Sequence, residues 1–386
     1  MNPLLRRLKA LRGDAVPERP RERGPDLAAD AARLGARLRQ HAAHGTHFEL
    51  TETLPADALY GQVPLGGARL RHLLTDAGTA EPRVLYVDTE TTGLAGGTGT
   101  LAFLIGAGLH GPDGFTVTQY FLPGPEHEEA QLRAFAEEAR GASAVVTYNG
   151  GSFDLPLLRS RFALHDLPDP LAGVPHLDLL MLSRRLWRGT LPDCSLGTVE
   201  RHILQKRRSG TDAPGWEVPA RYAGWLRSRD SALLEGVLEH NVNDIAAMSA
   251  LRHYLEELLA DPAQGRPVEQ RGLGLWLERS GRVDEALERL LAAARELPDA
   301  AWQASLLLKR QGRFTEAAGL WRKLGRQGMV TAWVELAKHQ EHRERDFASA
   351  LDSVEAAVRA QGRPDAELEK RRERLLRRLR GQAEAA

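Results

Sequence analysis

A short apolar run that ends in two acids constrains this chain more than any other stretch. Residues 84–87 (Val-Leu-Tyr-Val) are β-branched, aliphatic or aromatic and show no helical period, which predicts a buried strand. Asp88 and Glu90 follow, and because alternate residues of a strand point to the same side, their carboxylates lie together. Two close negative charges repel each other. The pattern therefore predicts either a solvated strand end or a divalent-metal site, for which carboxylate oxygens suit Mg²⁺ or Mn²⁺.

The composition excludes several classes of protein. Of the 386 residues 42% are hydrophobic, and the length predicts one to three domains with real cores. The 52 basic residues balance the 52 acidic ones, so any affinity for nucleic acid must come from local patches. A single cysteine, Cys194, excludes an internal disulfide framework. The N-terminus lacks the apolar core of a secretory signal, and the longest apolar run, 101–109, is too short to span a bilayer. We therefore expect a cytoplasmic protein with no membrane partner.

The order of the predicted elements indicates an α/β fold. Two strands at 101–109 and 115–121 follow the first strand through tight connections, which predicts an antiparallel meander. Further along the chain we predict strands at 144–148 and 174–177 and helices at 126–140, 155–162, 179–187 and 231–259. This order predicts a mixed central sheet flanked by helices.

The residues ahead of this core carry weaker patterns. Residues 1 to about 26 are rich in Arg and Pro, which predicts disorder. Apolar residues then recur at helical spacing from residue 27 to about residue 43, and weak alternation at 48–54 predicts an edge strand. We expect an N-terminal arm over 1–45 that is partly disordered or helical.

Two more groups of residues could complete a site with the first two acids. Asp154 follows a Tyr-Asn-Gly-Gly turn and opens a helix, where it is either an ordinary helix-start acid or a third carboxylate at the same sheet edge. His240 and Asp244 lie four positions apart on the long helix, so they share one face. That face is either solvated or places an imidazole beside a metal carboxylate, where it would act as a general base.

Three motifs in order resemble the four-acid 3′→5′ exonuclease superfamily, called DEDD or DnaQ-like. They are DTETTGL at 88–94, NGGSFDLP at 149–156 and HNVND at 240–244. The longer strings DTETTGLAGGTGTLAFLIGAG and YNGGSFDLPLL resemble the bacterial YprB-like ribonuclease-H-like proteins. The resemblance implies a ribonuclease-H-like fold and a two-metal nuclease that acts on the single-stranded 3′ end of a nucleic acid.

The resemblance also implies roles for individual residues. The ligands of two Mg²⁺ or Mn²⁺ ions would be Asp88, Glu90, Asp154 and Asp244. The general base would be His240, and contacts with the terminal nucleotide would come from Thr91, Gly93 and Asn149. The superfamily's histidine branch has H-x₄-D and its tyrosine branch Y-x₃-D. This chain departs from both, because its histidine stands at the spacing of the tyrosine branch.

Three loop features each keep two interpretations. The glycine-rich connection at 96–99 lacks the lysine of a P-loop and precedes a strand, so it is a meander turn or a turn that contacts substrate. The basic cluster at 205–208 is a solvated loop or tracks phosphates. Asp178 caps the helix that follows it or is an accessory acid.

A repeat appears beyond residue 266. The hexapeptide Gly-Arg-Val-Asp-Glu-Ala at 281–286 returns as Gly-Arg-Phe-Thr-Glu-Ala at 312–317 and more loosely at 345–350, with its last alanines 31 and 33 residues apart. This spacing resembles that of tetratricopeptide repeats, whose period is about 34 residues. We therefore expect a ribonuclease-H-like exonuclease domain over 46–260 and a helical-repeat domain over 266–386 that binds a protein partner or the substrate.

Three functions are compatible with the sequence. The first is a metal-dependent 3′→5′ exonuclease, which the presence of all four acids favours. The alternatives are a non-catalytic nucleic-acid- or protein-binding scaffold with a nuclease-like fold, and a structure-specific endonuclease of the same fold. The sequence leaves the choice between DNA and RNA open, because that choice depends on a contact with the 2′-hydroxyl.

Overall fold

The computed structural model describes most of the chain. It covers residues 26–41, 43–66, 73, 83–93, 99–208, 213–261 and 265–385. The predictions for residues 1–25 and for the glycine-rich residues 94–98 lie outside the described residues.

A seven-stranded sheet forms the centre of the first part of the chain. Its strands are β1 (Arg37–His41), β2 (Gly45–Pro55), β5 (Val84–Thr91), β6 (Ala102–Gly111), β7 (Gly114–Phe121), β8 (Ala144–Thr147) and β9 (His176–Asp178). Their spatial order is β1-β2-β7-β6-β5-β8-β9. Two short strands, β3 (Leu59–Tyr60) and β4 (Val63–Pro64), form a separate hairpin.

Helices flank this sheet. They are α1 (Leu27–Arg33), α2 (Glu128–Ala139), α3 (Asp154–Leu164), α4 (Leu179–Trp187), α5 (Leu196–Val199), α6 (Val218–Ser228) and α7 (Ala232–Ala260). A 3₁₀ turn at Pro125–His127 precedes α2, and a π-helical turn at Glu200–Leu204 follows α5.

The strand directions give β5 its central position. β5, β6 and β7 form the predicted antiparallel meander, whereas β8 and β9 run parallel to β5. The carboxyl ends of β5, β8 and β9 therefore meet at one edge of the sheet. With its flanking helices, this mixed sheet has the ribonuclease-H-like architecture.

Two glycines allow α7 to lie directly on β6. A Cβ at Gly106 would lie 2.2 Å from Asn241 Oδ1, and a Cβ at Gly108 would lie 2.4 Å from Cγ2 of Ile245. Neither strand position could therefore carry a side chain unless the side chain of Asn241 or Ile245 moved. Because Gly106 is paired with Asp88 in the sheet, this close approach brings the middle of α7 against the end of β5.

The predicted helix from residue 27 to about residue 43 is wrong over its second half. α1 ends at Arg33, and Arg37–His41 forms β1, in which Leu38 pairs with Phe48 of β2. β2 is also not the edge strand that the alternation predicted, since β1 covers one side of it and β7 the other. Strand pairing with a partner several residues away overrides the local helical spacing of Leu34 and Leu38.

The C-terminal part is all-helical, as predicted. Its helices are α8 (Pro267–Arg279), α9 (Val283–Ala293), α10 (Pro298–Arg310), α11 (Phe314–Arg326), α12 (Val330–His339), α13 (Phe347–Gln361) and α14 (Ala366–Ala385). Consecutive helices pack against each other, and α8 also packs against α4. Within the described residues, none of the helices combines the length and apolar character that crossing a bilayer requires.

Candidate active site

Strand β5 presents three side chains in succession to α7. The hydroxyl of Tyr86 accepts a hydrogen bond from Arg252 Nε. Two residues on, Oδ2 of Asp88 accepts a hydrogen bond of 2.8 Å from the side-chain amide of Asn241. Strand alternation thus places the first predicted acid, and Glu90 after it, on the side of the sheet that α7 covers.

A second hydrogen bond fixes the orientation of Asn241. The side-chain amide of Gln119, on β7, donates to Asn241 Oδ1 at 2.9 Å. Because Oδ1 is occupied as an acceptor, the NH₂ group of Asn241 is turned toward Asp88. The sequence analysis did not identify Asn241 or Gln119. Asn241 lies inside the HNVND motif, and that position is the sequence signal by which it could have been found.

Asp154 reaches the site from the start of α3. Its Oδ1 accepts hydrogen bonds from the backbone N–H of Thr89 at 3.0 Å and from the Thr89 hydroxyl at 2.5 Å. Burial raises the pKa of Asp154 to about 6, although both hydrogen bonds from Thr89 oppose this shift. The third predicted acid is therefore tied to the same strand that carries the first two.

The pKa of Asp88 is influenced by the three other candidate acids. Burial raises its pKa well above the ordinary value, and the negative charges of Asp244, Asp154 and Glu90 raise the pKa further. The hydrogen bond from Asn241 opposes these effects without cancelling them. A carboxylate surrounded by three others, with a neutral amide as its hydrogen-bond donor, is an environment that favours a bound cation.

His240 lies among the same acids. Its Nε2 is 3.9 Å from Glu90 Oε1 and 3.7 Å from Asp244 Oδ2. The H-x₃-D spacing therefore brings the imidazole and the fourth acid together on one face of α7, as the sequence predicted.

Arg208 is a part of the site that the sequence analysis placed differently. It lies in the basic cluster at 205–208, yet its side chain is largely buried and its Nη2 is paired with Asp244 Oδ1. Its Nη1 is 3.2 Å from His240 Nδ1, and the guanidinium also pairs with buried Glu200. Tyr60 donates to the same glutamate at 2.6 Å. Arg208 thus supplies positive charge to the acid cluster. Its side chain is neither solvated nor placed to track phosphates.

The contact with Arg208 determines where His240 carries its proton. A guanidinium can only donate, so Nδ1 of His240 must be the acceptor. A neutral ring that accepts at Nδ1 has its proton on Nε2, the nitrogen nearest the carboxylates. In this arrangement Nε2 can donate a proton to a hydrogen bond but cannot accept one from water.

The three predicted nucleotide contacts occupy turns beside the acids. The Thr91 hydroxyl donates to the carbonyl of Gly93 at 2.8 Å and so stabilises the turn after β5. Asn149 has a φ of +68°, and within the described residues its side-chain amide has no hydrogen-bond partner. That amide is therefore available to a ligand.

Asp178 caps α4 and also holds the Asn-Gly-Gly turn. Its Oδ1 accepts from Leu180 N at 3.0 Å, which confirms the predicted helix cap. The same carboxylate accepts from the backbone N–H groups of Asn149 at 2.8 Å and Gly151 at 3.3 Å. It is therefore a positioning residue for the turn.

The donor set fits a hard divalent cation. All four acids offer carboxylate oxygens, which Mg²⁺ and Mn²⁺ prefer. In the described part of the chain, no group of three or more His, Cys, Asp and Glu side chains is close enough to hold a metal as it stands. Asp244 is instead paired with Arg208, while Asn241 and Thr89 hold Asp88 and Asp154.

The fold and this site place the chain in a known class. The chain belongs to the ribonuclease H superfamily, whose family model matches residues 85–256. Its similarity extends to a particular protein of Bacillus subtilis (strain 168), the uncharacterized protein YprB, which is 36% identical over 302 residues. That alignment covers 75% of this chain and 72% of the relative. The residues matched by the family model, 85–256, include every acid of the candidate site.

One solved structure shows a more distant similarity. The family B DNA polymerase from the hyperthermophilic archaeon Pyrobaculum calidifontis is 18% identical, with a TM-score of 0.39. The alignment covers 69% of this chain but only 34% of that chain, so this protein spans about a third of the polymerase.

Proposed function

We propose that this protein is a metal-dependent 3′→5′ exonuclease that hydrolyses phosphodiester bonds in single-stranded DNA or RNA. The observation that carries the proposal is the convergence of four carboxylates and one imidazole at the end of β5. Membership of the ribonuclease H superfamily supports a nucleic-acid-processing hydrolase.

In the proposed mechanism the acids act as metal ligands. They are Asp88, Glu90, Asp154 and Asp244. Divalent ions bound there would polarise the scissile phosphate and lower the pKa of the attacking water. Asn241 and Thr89 orient Asp88 and Asp154, so that both carboxylates are held in place before a metal arrives.

His240 acts as the general base in this mechanism, and that role requires Arg208 to move. To take a proton from water, Nε2 needs a free lone pair, which it lacks while Arg208 donates to Nδ1. We propose that Arg208 withdraws from His240 and Asp244 when divalent metal takes over the charge of the acids. The unpartnered amide of Asn149, with Thr91 and Gly93, then contacts the terminal nucleotide.

The remaining predictions complete the proposal. We propose that residues 46–260 form the catalytic domain and that the helices over 266–386 are tetratricopeptide-like repeats that bind a protein partner or the substrate. The paired packing of α8 with α9 and of α10 with α11 supports the repeat assignment. We also propose a cytoplasmic location.

A cleavage assay on end-labelled polymers tests the proposal. Single-stranded DNA and RNA carrying a 5′ label would be incubated with wild type and Asp88→Asn in Mg²⁺, Mn²⁺ or chelator. We expect stepwise shortening from the 3′ end in metal only, and a loss of at least about 100-fold in Asp88→Asn, since even partners outside the metal's ligand shell cost 10–100-fold. His240→Gln should slow cleavage roughly 10²–10⁴-fold, as expected for a general base.

Asp113→Asn is the matched control. Asp113 is exposed at the turn between β6 and β7 and forms no ion pair within the described residues. Its variant should retain wild-type activity within about twofold. Products cut at internal positions would contradict the exonuclease proposal and favour a structure-specific endonuclease. A folded, metal-loaded wild type that cuts neither polymer would overturn the enzyme proposal and favour a binding scaffold.

A further inference from the structure

An arginine-rich groove lies where the sheet-bearing part of the chain meets the C-terminal helices. It has a volume of about 610 Å³ and is formed by α4, α8 and the end of α10. Six arginines line it: Arg184, Arg185, Arg188, Arg271, Arg279 and Arg310. The overall charge of the chain is balanced, so this local excess of cations is a distinct feature of the surface.

Among the described residues, most of this positive charge has no counter-charge. Arg271 pairs with Asp299 and Arg310 with Glu278. Arg184, Arg188 and Arg279, in contrast, form no ion pair within the described residues, and all three are exposed. Six arginines held close together around one lining carboxylate, Glu278, leave an excess of positive charge that favours binding of an anion.

The cationic surface is built on a rigid contact between two helices. A Cβ at Gly272 would lie 2.8 Å from the Cα of Leu186, so α8 and α4 touch backbone to backbone. The indole N–H of buried Trp187 donates to Glu269 at 2.9 Å, and Arg185 Nη1 donates to the carbonyl of Leu275 at 3.2 Å. The groove is therefore formed before any ligand binds, which reduces the ordering cost of binding.

Helix α4 connects this groove to the candidate active site. It starts after Asp178, whose carboxylate holds the Asn-Gly-Gly turn beside the acids. At a rise of 1.5 Å per residue, Arg184 lies about 9 Å and Arg188 about 15 Å further along the helix axis. A strand that leaves the acid site along α4 would therefore meet these arginines.

We propose that this groove binds the phosphate backbone of a single-stranded nucleic acid whose 3′ end enters the acid site. The choice of ligand rests on the proposed nuclease function. Leu275 is the apolar residue that lines the groove. A docked protein would need a larger apolar centre, whereas nucleic-acid interfaces are polar and strongly positive. Arginine forks also suit phosphate oxygens in particular.

The test uses the full chain with three neutralised arginines. The groove variant is Arg184→Gln with Arg188→Gln and Arg279→Gln. The control variant has the same change in charge at exposed arginines that do not line the groove and form no ion pair in the described part of the chain: Arg295→Gln, Arg322→Gln and Arg326→Gln. Fluorescence anisotropy of labelled 20-nucleotide DNA and RNA is measured in chelator, where no cleavage occurs.

We expect the groove variant to bind at least tenfold more weakly than wild type at 0.1 M salt. Its plot of log K against log salt should also be shallower by about 2, since each contacted phosphate of a single strand contributes about 0.7. The loss should be smaller for a dinucleotide than for a 20-nucleotide strand, because a dinucleotide held at the acids carries too few phosphates to contact all three arginines. The control variant should bind within twofold of wild type.

Equal binding by the groove and control variants would overturn the proposal, as would a wild type that binds no oligonucleotide. A groove variant that loses binding to poly-glutamate peptide or phosphatidylserine vesicles, but keeps oligonucleotide binding, would also overturn it. The proposed nuclease function fails separately. If wild type cuts nothing but its oligonucleotide binding needs the groove, the groove stands and the catalytic assignment falls.

Discussion

Two acids in different parts of the molecule are withdrawn from water but have opposite surroundings. Glu341, after α12, is buried and accepts hydrogen bonds of 2.7 Å from Arg371 and from Arg374. Asp88, at the end of β5, accepts from the neutral amide of Asn241 and faces three more carboxylates. Burial acts to raise both pKa values. The two arginines lower that of Glu341 nevertheless, whereas the neighbouring acids raise that of Asp88 further.

Under the proposed function, the difference separates a structural acid from a metal ligand. In the C-terminal helices the protein itself supplies the opposite charge, so the ion pairs stabilise the fold. At the sheet edge the acids outnumber their cations, and Arg208 is paired with one of them, Asp244. We expect this excess of negative charge to lower the stability of the metal-free protein and to favour the proposed binding of a divalent cation.

Removing the charge of Glu341 should give the largest change in stability. Glu341→Gln leaves Arg371 and Arg374 without their carboxylate, and breaking a buried pair typically costs about 3 kcal/mol or more. We expect a lower free energy of unfolding in urea and an unchanged cleavage rate per folded molecule. Glu367→Gln, at an exposed acid with no ion pair within the described residues, should stay within about 0.5 kcal/mol. Equal stability of the two variants would remove the contrast between the two regions.

The pH dependence of the metal-free protein should be the next largest effect. The pKa of Asp154 is raised to about 6, so its contribution to stability is fully present below about pH 4 and lost as pH rises through 6. A shift of about two units corresponds to roughly 3 kcal/mol at most. The pKa of Glu341 is lowered, so its contribution to stability is constant between pH 5 and pH 8. Thermal unfolding in chelator should therefore show the Tm of wild type falling by a few degrees relative to that of Asp154→Asn between pH 5 and 8. In this comparison the opposite contributions of His47 and His110, whose pKa values are lowered to about 4, cancel.

The same measurement in excess Mg²⁺ sharpens the test. A cation that binds the ionised carboxylates should restore the Tm at pH 8 and have little effect at pH 5. Asp154→Asn should flatten the profile in chelator. A profile that is equally steep in wild type and Asp154→Asn would mean that the acid cluster does not control stability.

Neutralising Asp88 should change stability in the direction opposite to Glu341→Gln. Asp88→Asn removes one of four repelling charges, and burial and the neighbouring acids raise the pKa of that carboxyl, so in chelator at pH 8 we expect a higher free energy of unfolding than in wild type. The variant should become more stable while losing cleavage. Asp113→Asn should leave both properties unchanged. A destabilised Asp88→Asn would mean that the hydrogen bond from Asn241 outweighs the repulsion.

Removing Arg208 should produce the smallest effect, on metal affinity. Arg208→Gln frees Asp244 from its ion pair, and we expect Mn²⁺ to bind about fivefold more tightly in titration calorimetry, or about 1 kcal/mol. Arg207→Gln is the matched control, because Arg207 is adjacent and exposed. Equal affinities in the two variants would show that Arg208 does not compete with metal. Arg208→Gln also leaves buried Glu200 without its arginine, so circular dichroism must confirm the fold first.

Local patterns were sufficient wherever a structural element depends on near neighbours. The apolar run before Asp88 forms β5, the long helical period at 231–259 forms α7 at Ala232–Ala260, and Asp178 caps α4 as predicted. These results follow from periods of two and 3.6 residues, which are properties of the chain itself. The four acids are indicated by the resemblance of the three motifs to a known superfamily, and their role as metal ligands stays a prediction.

Contacts between distant residues were decided by the tertiary structure alone. Leu38 fits a helical period but lies in β1 because Phe48 of β2 pairs with it. Arg208 looks like any exposed basic residue, yet it meets Asp244, 36 residues away. The sequence by itself indicated the candidate acids, the central strand and the all-helical C-terminal part. Only packing decided which cation faces those acids, because the chain order contains no information on how loops fold back onto the sheet.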